Sequence, residues 1–405
     1  MANEGLVSET RRFELPDCIA DLSGRIIDVD QHECLPINLW VEEFGAAARP
    51  MEDAYRKTLI EMKDRTADDR EINADTVFNS KREDAPGTVD TARRLEVMDF
   101  IGIERTVIFP GTAGMIAVSL YGSTDRSGFA RRLDVPDLRA YGRQLIDAYN
   151  DWCLRTSRIS DRLRPAAILL GETPEALYAD AKRLIDGGIR GLWIPSGTLP
   201  GGVAPAHPAH DPLWSLMASA RCPIFEHIGG QSGFIVTDGW RKAPAFEGWS
   251  LGGEFSMDPW MLTTKHYSAQ SFVVAMVIGG VFERHPQLAY GTAELTGHWV
   301  GPMAEMMDMW LEHKPFRSTA GARVLTMKPS EYVRRNVRVG CFDFEPIDRY
   351  IERFGLEEVY CYLSDYPHSA GGTDPIGVSA RKLERLGART LRRFFADNGK
   401  VLLPD

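Results

Sequence analysis

The feature that most constrains this chain is an alternation. Eight short runs rich in β-branched and apolar residues recur along it: Ile26–Asp30, Arg105–Phe109, Pro165–Leu170, Gly191–Ile194, Pro223–His227, Leu288–Ala293, Val337–Gly340 and Val359–Leu363. Between them lie stretches with helical periodicity, among them TARRLEVMDFIG, LRAYGRQLIDAYNDWCLRTS, TPEALYADAKRLIDGG, DPLWSLMASA and EPIDRYIERFG. A helix between successive strands carries the chain back to the start of the sheet, so neighbouring strands pair in parallel. Eight such units close into a (β/α)8 TIM barrel. An open doubly wound sheet competes, but it usually places a glycine-rich phosphate turn after its first strand. Here that strand runs into DVDQHECLP, which has no glycine.

A prior of about 150 residues per domain divides 405 residues into two or three. The strand order instead predicts one α/β barrel domain, residues 1–405, with the surplus in two insertions. One runs from Cys34 to about Gly87 after strand one and is polar. The other runs from Ile228 to about Thr264 after strand five and is rich in Gly, Trp and Phe. Both leave from the strand ends that form a barrel's catalytic face, where long loops act as lids or pocket walls. Surface decoration is the plainer reading. The aromatics of the second insertion argue for the pocket.

With 47 basic and 57 acidic side chains the net charge is −10, which argues against nucleic-acid partners. The six cysteines show neither CxxC nor zinc-finger spacing and read as reduced thiols of a cytoplasmic chain. The first residues lack the apolar core of a signal peptide. The longest apolar run, Phe272 to Phe282, contains two glycines and is too short to span a bilayer, so it reads as a buried helix.

The chemistry-bearing residues cluster at predicted strand ends. Asp30 and His32 are two apart on strand one and so point the same way, with Asp28 below them. A carboxylate and an imidazole on one face suit a divalent metal, although an Asp capping a turn beside a surface His is as ordinary. His227 ends strand five before two glycines, a position where a structural His is common. After strand six, Glu294 and His298 are four apart, and a helical turn would align them. Asp365 ends strand eight, where it could simply start a turn fixed by Pro367. Each is weak alone. Together Asp30, His32, His227, Glu294, His298 and Asp365 converge on one barrel mouth.

The motifs IIDVDQH, RLEVMDFIGIERTVIFP, AYNDWCLRTSRISDRLRPAA, DPLWSLMASARCPIFEH, GGVFERHPQL and LSDYPHSAGG, between about Ile26 and Gly372, resemble the amidohydrolase superfamily. The branch they are most similar to contains aminocarboxymuconate-semialdehyde decarboxylase. The resemblance implies an amidohydrolase-like barrel with a metal at the strand ends, held by His-x-His, a His on strand five and an Asp on strand eight. Those positions read Asp30, His32, His227 and Asp365 here, with Asp30 replacing the first His. Glu294 stands where the decarboxylases carry a catalytic His, and His298 is an additional donor.

Three carboxylates and three imidazoles also have the balance of di-iron sites. That set resembles a group of non-heme di-iron monooxygenases with this barrel, known from platensimycin and platencin biosynthesis. The resemblance implies two Fe ions per chain, Glu294 or Asp30 as bridge and an external electron donor. It also implies an apolar, possibly diterpenoid, acyl-CoA substrate. Arg334, Arg335 and Arg338 are candidate contacts for a CoA tail, though a solvated face explains them too. The alternative is a mononuclear hydrolase or decarboxylase with Zn or Mn on Asp30, His32, His227 and Asp365, and Glu294 or His298 as base or acid. Both readings take a small-molecule substrate and allow a homo-oligomer.

Overall fold

Each of the eight runs becomes a strand. The strands are β1 (Ile26–His32), β2 (Ile103–Phe109), β3 (Leu163–Pro165 and Ala167–Ile168), β4 (Leu192–Trp193), β5 (Ile224–His227), β6 (Tyr290–Ala293), β7 (Val337–Cys341) and β8 (Tyr360–Tyr362). The structure is a computed structural model. It describes residues 12–58, 63–123, 126, 128–230, 239–240, 243–248, 259–313 and 325–405.

All strand pairs are parallel and follow chain order. β3 is interrupted at Ala166 because it hands over between neighbours there. Ala166 N donates to Ile108 O on the β2 side, and Ala167 N donates to Gly191 O on the β4 side. The ring closes through a parallel bridge between Gln31 and Tyr366. Beside it, His32 N donates to Tyr366 O at 2.7 Å and Asp365 N donates to Asp30 O at 3.0 Å. The closure of the barrel and the placement of its candidate chemistry therefore share the same few residues. β5 begins one residue later than its run because Pro223 has no N–H; its carbonyl still accepts from Leu192 N at 3.1 Å.

The helices start where local chemistry says they should. Thr173 accepts from Ala176 N at 3.2 Å and is followed by Pro174 at the first helical position. Asp137 accepts from Ala140 N and opens Leu138–Thr156. The apolar run forms Tyr267–Ile278, breaks at Gly279–Gly280 and resumes as Val281–Arg284, with Phe272, Val273, Met276 and Val277 buried. Among the described residues no helix is long and apolar enough to cross a membrane.

The first insertion folds as a packed layer. Its short helices Trp40–Phe44 and Arg49–Tyr55 lie against Leu138–Thr156, with Phe44 and Tyr149 ring centres 6.1 Å apart. Its end reaches the mouth, where Pro86 O accepts from Tyr366 OH at 2.7 Å and Arg82 N donates to Pro367 O. Most of the second insertion, with Phe234, Trp249 and Phe255 of the expected lid, lies outside the described residues; of its described aromatics Trp240 is exposed and Phe246 and Trp260 are half-buried. Arg334, Arg335 and Arg338 fall at or just before the start of β7, the end away from the mouth. Arg334 is engaged by Gly355 O and Glu358, and Arg338 by the carbonyls of Arg334 and Val337. A CoA tail reaching the mouth gains nothing from them.

One buried acid tests the wall of the barrel. Glu226 alternates with His227 and faces the opposite side, where its Oε2 accepts from Tyr290 OH at 2.6 Å. Burial pushes its pKa from 4.5 up to about 8. The folded state therefore holds this proton more tightly than the unfolded one. Its contribution is full below about pH 4.5 and is lost as pH rises to about 8. Glu226→Gln is expected to gain stability relative to wild type as pH rises across that window. Thermal melts of both proteins at pH 5 and pH 8.5 check this; a constant difference in Tm would refute it.

Candidate metal centre

β1, β5, β6 and β8 deliver their last side chains to one point. His32 Nε2 lies 3.3 Å from Asp30 Oδ1, 3.1 Å from Glu294 Oε1 and 3.4 Å from Asp365 Oδ1. His227 Nε2 lies 3.4 Å from Glu294 Oε1 and 3.7 Å from Asp30 Oδ1. All five residues are buried. Of the six residues singled out in the sequence, these five come together.

His298 does not join them. It is exposed, its Nδ1 is 2.7 Å from Thr296 Oγ1, and its ring packs 4.4 Å from that of His266. The expected helical turn is absent. Glu294 and Thr296 take left-handed backbone angles, φ 56° and 57°, and the helix begins only at Val300. The sixth donor is His368, which is not among the residues singled out in the sequence. Its Nδ1 is 3.0 Å from Asp365 Oδ1 and 3.9 Å from Glu294 Oε1. The Asp-x-x-His spacing in SDYPHS was the available signal, because the turn after β8 folds back until His368 N donates to Asp365 O. The donors form two overlapping groups of four, Asp30, His32, His227, Glu294 and His32, Glu294, Asp365, His368, which could each hold an ion.

Backbone contacts set the imidazole tautomers. His32 Nδ1 faces Pro110 O at 3.2 Å, and His227 Nδ1 faces Ile228 O at 2.8 Å. A carbonyl only accepts, so each Nδ1 carries the proton and each Nε2 turns its lone pair to the cluster. Both Asp30 oxygens, His227 Nε2 and Asp365 Oδ2 are buried with no hydrogen-bond partner. A buried set of acceptors with no donor is costly unless a cation sits among them.

Without a metal, protons take that place. Burial and the nearby His368 oppose charging His32, yet Asp30 and Glu294 hold it up to about 10. Burial likewise opposes charging His227, but Glu294 and Asp30 hold it at about 9. Burial raises Glu294 too, and the histidines overcome it, so that carboxyl sits well below its ordinary value. Asp365 goes the other way, well above the carboxylate range, through burial and then the charge of Glu294.

The donor spacing also suits an ion. Metal–ligand distances of about 2.2 Å put adjacent ligands of an octahedral ion about 3.1 Å apart. The 3.1 Å and 3.3 Å from His32 Nε2 to Glu294 Oε1 and Asp30 Oδ1 fit an ion held by the group Asp30, His32, His227 and Glu294.

The strand ends are braced from behind. Asp28 stays out of the cluster and ties β1 to the end of β8: its Oδ1 accepts from Ser364 N at 3.0 Å and its Oδ2 from Ser364 Oγ at 2.5 Å and Gln31 Nε2 at 2.9 Å. Asp365 itself has φ 53°, strain of the kind that surrounding contacts must hold in place at functional sites. Gly371 presses on that turn so closely that a Cβ there would lie 1.9 Å from Ser364 O.

The amidohydrolase family profile matches residues 125–404, more than half of the chain. The chain belongs to the amidohydrolase family. Solved structures agree on the fold. An amidohydrolase from Mycobacterium avium subsp. paratuberculosis K-10 matches with TM-score 0.66 and 17% identity over 94% of this chain and 99% of its own. A 5-carboxyvanillate decarboxylase from Novosphingobium aromaticivorans, complexed with manganese and 4-hydroxy-3-methoxy-5-nitrobenzoic acid, matches with TM-score 0.57 and 15% identity over 95% and 97%. A 2,6-dihydroxybenzoate decarboxylase from Rhizobium matches with TM-score 0.56 and 16% identity over 94% and 98%. No curated protein sequence matches the chain.

These findings overturn the oxygenase expectation. The neighbours of this amidohydrolase are mostly decarboxylases, some with bound manganese, and none of those named is a di-iron monooxygenase. The monooxygenase chemistry and the antibiotic-pathway role fall with it. His298, one of the six donors of that expectation, lies outside the cluster.

Proposed function

We propose that this amidohydrolase is a divalent-metal-dependent decarboxylase of a small, ring-bearing carboxylic acid. The observation that carries the reading is a buried knot of unpartnered acceptor atoms, Asp365 Oδ2 among them, with His368 Nδ1 3.0 Å from the other oxygen of that acid. Decarboxylation needs a proton at the carbon that loses CO2, whereas hydrolysis needs a base for water. The decarboxylases among the structural neighbours, some with manganese, support the same choice.

Asp30, His32, His227 and Glu294 would hold the ion. When bound, a divalent ion supplies Lewis acidity toward the oxygens of the substrate. The chain does the rest. Asp365 delivers the proton from Oδ2 to the ring carbon bearing the carboxylate. The carbon–carbon bond then breaks, its electron pair stays on the ring, and CO2 leaves. His368, 3.0 Å from Asp365 Oδ1, returns a proton to the acid. His32 and His227 keep their orientation through Pro110 O and Ile228 O.

The test is CO2 release from 5-carboxyvanillate and 2,6-dihydroxybenzoate by the Mn²⁺-loaded protein, run in D2O. The expected result is metal-dependent CO2 with one deuterium at the vacated carbon and no O2 consumption. Hydrolysis of amides or esters without CO2 from any aromatic acid would overturn the reading.

A further inference from the structure

Lys265 is a buried cation with no ion-pair partner among the described residues. It is 7% exposed, at the start of the segment leading into Tyr267–Ile278. Its Nζ makes no hydrogen bond or ion pair among the described residues. Its Nζ lies 5.8 Å from the ring centre of Phe342, which directly follows β7 and so places Lys265 at the mouth end of that strand. Burial lowers its pKa, and the charges of Glu294, Glu345 and Asp365 oppose that.

The groups around it leave it in that state. Glu345 is spent on backbone, accepting from Gly297 N at 2.7 Å and Phe342 N at 2.9 Å. Glu294 and Asp365 belong to the donor cluster. His266 is held down to about 4 by burial and then by His298 and Lys265, so it stays a neutral ring beside the ammonium. Burying an ammonium without a partner is unfavourable, and a ring face 5.8 Å away offsets little of it. A cation placed this way beside a catalytic mouth is built to meet an anion that arrives.

We propose that Lys265 receives a carboxylate oxygen of the substrate and so positions the acid against the donor cluster. This deepens the decarboxylase reading and rests on it for the reaction, but not for the anion. It also gives product release a cause, since the attraction disappears when the carboxylate leaves as neutral CO2. Lys265 is a positioning residue here, not the proton donor.

The test pairs kinetics with labelling. With an acid that the Mn²⁺-loaded wild type decarboxylates, Lys265→Met is expected to raise KM tenfold or more. Manganese content should stay as in wild type and Tm should not fall, and Lys265→Arg should recover part of the loss. An unchanged KM in Lys265→Met overturns the inference while leaving the decarboxylase reading intact. A second measurement needs no turnover. Acetylation of Lys265 by a water-soluble acylating reagent is followed by mass spectrometry on the wild-type holoenzyme. Benzoate is expected to slow it severalfold and benzamide is not. Equal rates with both overturn the proposal even if no acid is ever found to be decarboxylated.

Discussion

Stripping the divalent ion with a chelator is expected to abolish CO2 release, and Mn²⁺ is expected to restore it at about one ion per chain. The number follows from one group of four, Asp30, His32, His227 and Glu294, with Asp365 and His368 assigned to proton delivery. Two ions would need Asp365 and His368 as ligands as well, so the count tests that assignment. Binding must also displace protons. In the metal-free site His32 stays protonated up to about 10 and His227 up to about 9, so Mn²⁺ loading near pH 7 releases protons from both rings. Affinity therefore rises with pH across the range from 6 to about 9. Calorimetry in two buffers of different ionisation enthalpy measures the released protons, and metal analysis measures the stoichiometry. A ligand at a hundred times its Kd adds about 2.7 kcal/mol to stability, so the loaded protein should also melt several degrees higher. Two ions per chain, or binding with no proton release, would contradict this account of the site.

The fold was legible because its signal is repeated eight times. Each run between Ile26 and Leu363 alternates with a helix, and no single misread boundary disturbs that order. Five of the six donors were legible for the same reason: strand periodicity fixes which way Asp30, His32 and His227 point, and barrel closure brings their ends together. What failed were readings that depended on irregular backbone. The Glu294–His298 pair presumed a helical turn, but left-handed residues at Glu294 and Thr296 turn the chain out of helix. His368 was missed because its return to Asp365 is made by a turn whose path three residues of sequence do not reveal. Lys265 carried no local signal at all. Its burial depends on Phe342 and Glu345, roughly 80 residues away in the chain.

Asp365→Asn is expected to lower kcat by about a thousandfold, within the range for loss of a general acid, while KM changes little. The substitution keeps the shape and one carbonyl oxygen, so manganese should still bind. What it removes is an acidic proton at Oδ2, an atom that has no other partner in the buried site. His368 cannot take over. Its Nδ1 faces Asp365 Oδ1 and not the open side, and burial disfavours any second route for the proton. The contrast with His227→Ala sharpens the assignment. His227 Nε2 is a lone-pair donor fixed by Ile228 O, so its loss should empty the site and cost activity through metal content. Asp365→Asn should cost as much activity with the metal in place. Metal analysis of the two variants beside their kcat values separates holding the ion from delivering the proton. If Asp365→Asn retained a tenth of wild-type kcat, the proton would have to come from elsewhere, and the acid role assigned to Asp365 would fall.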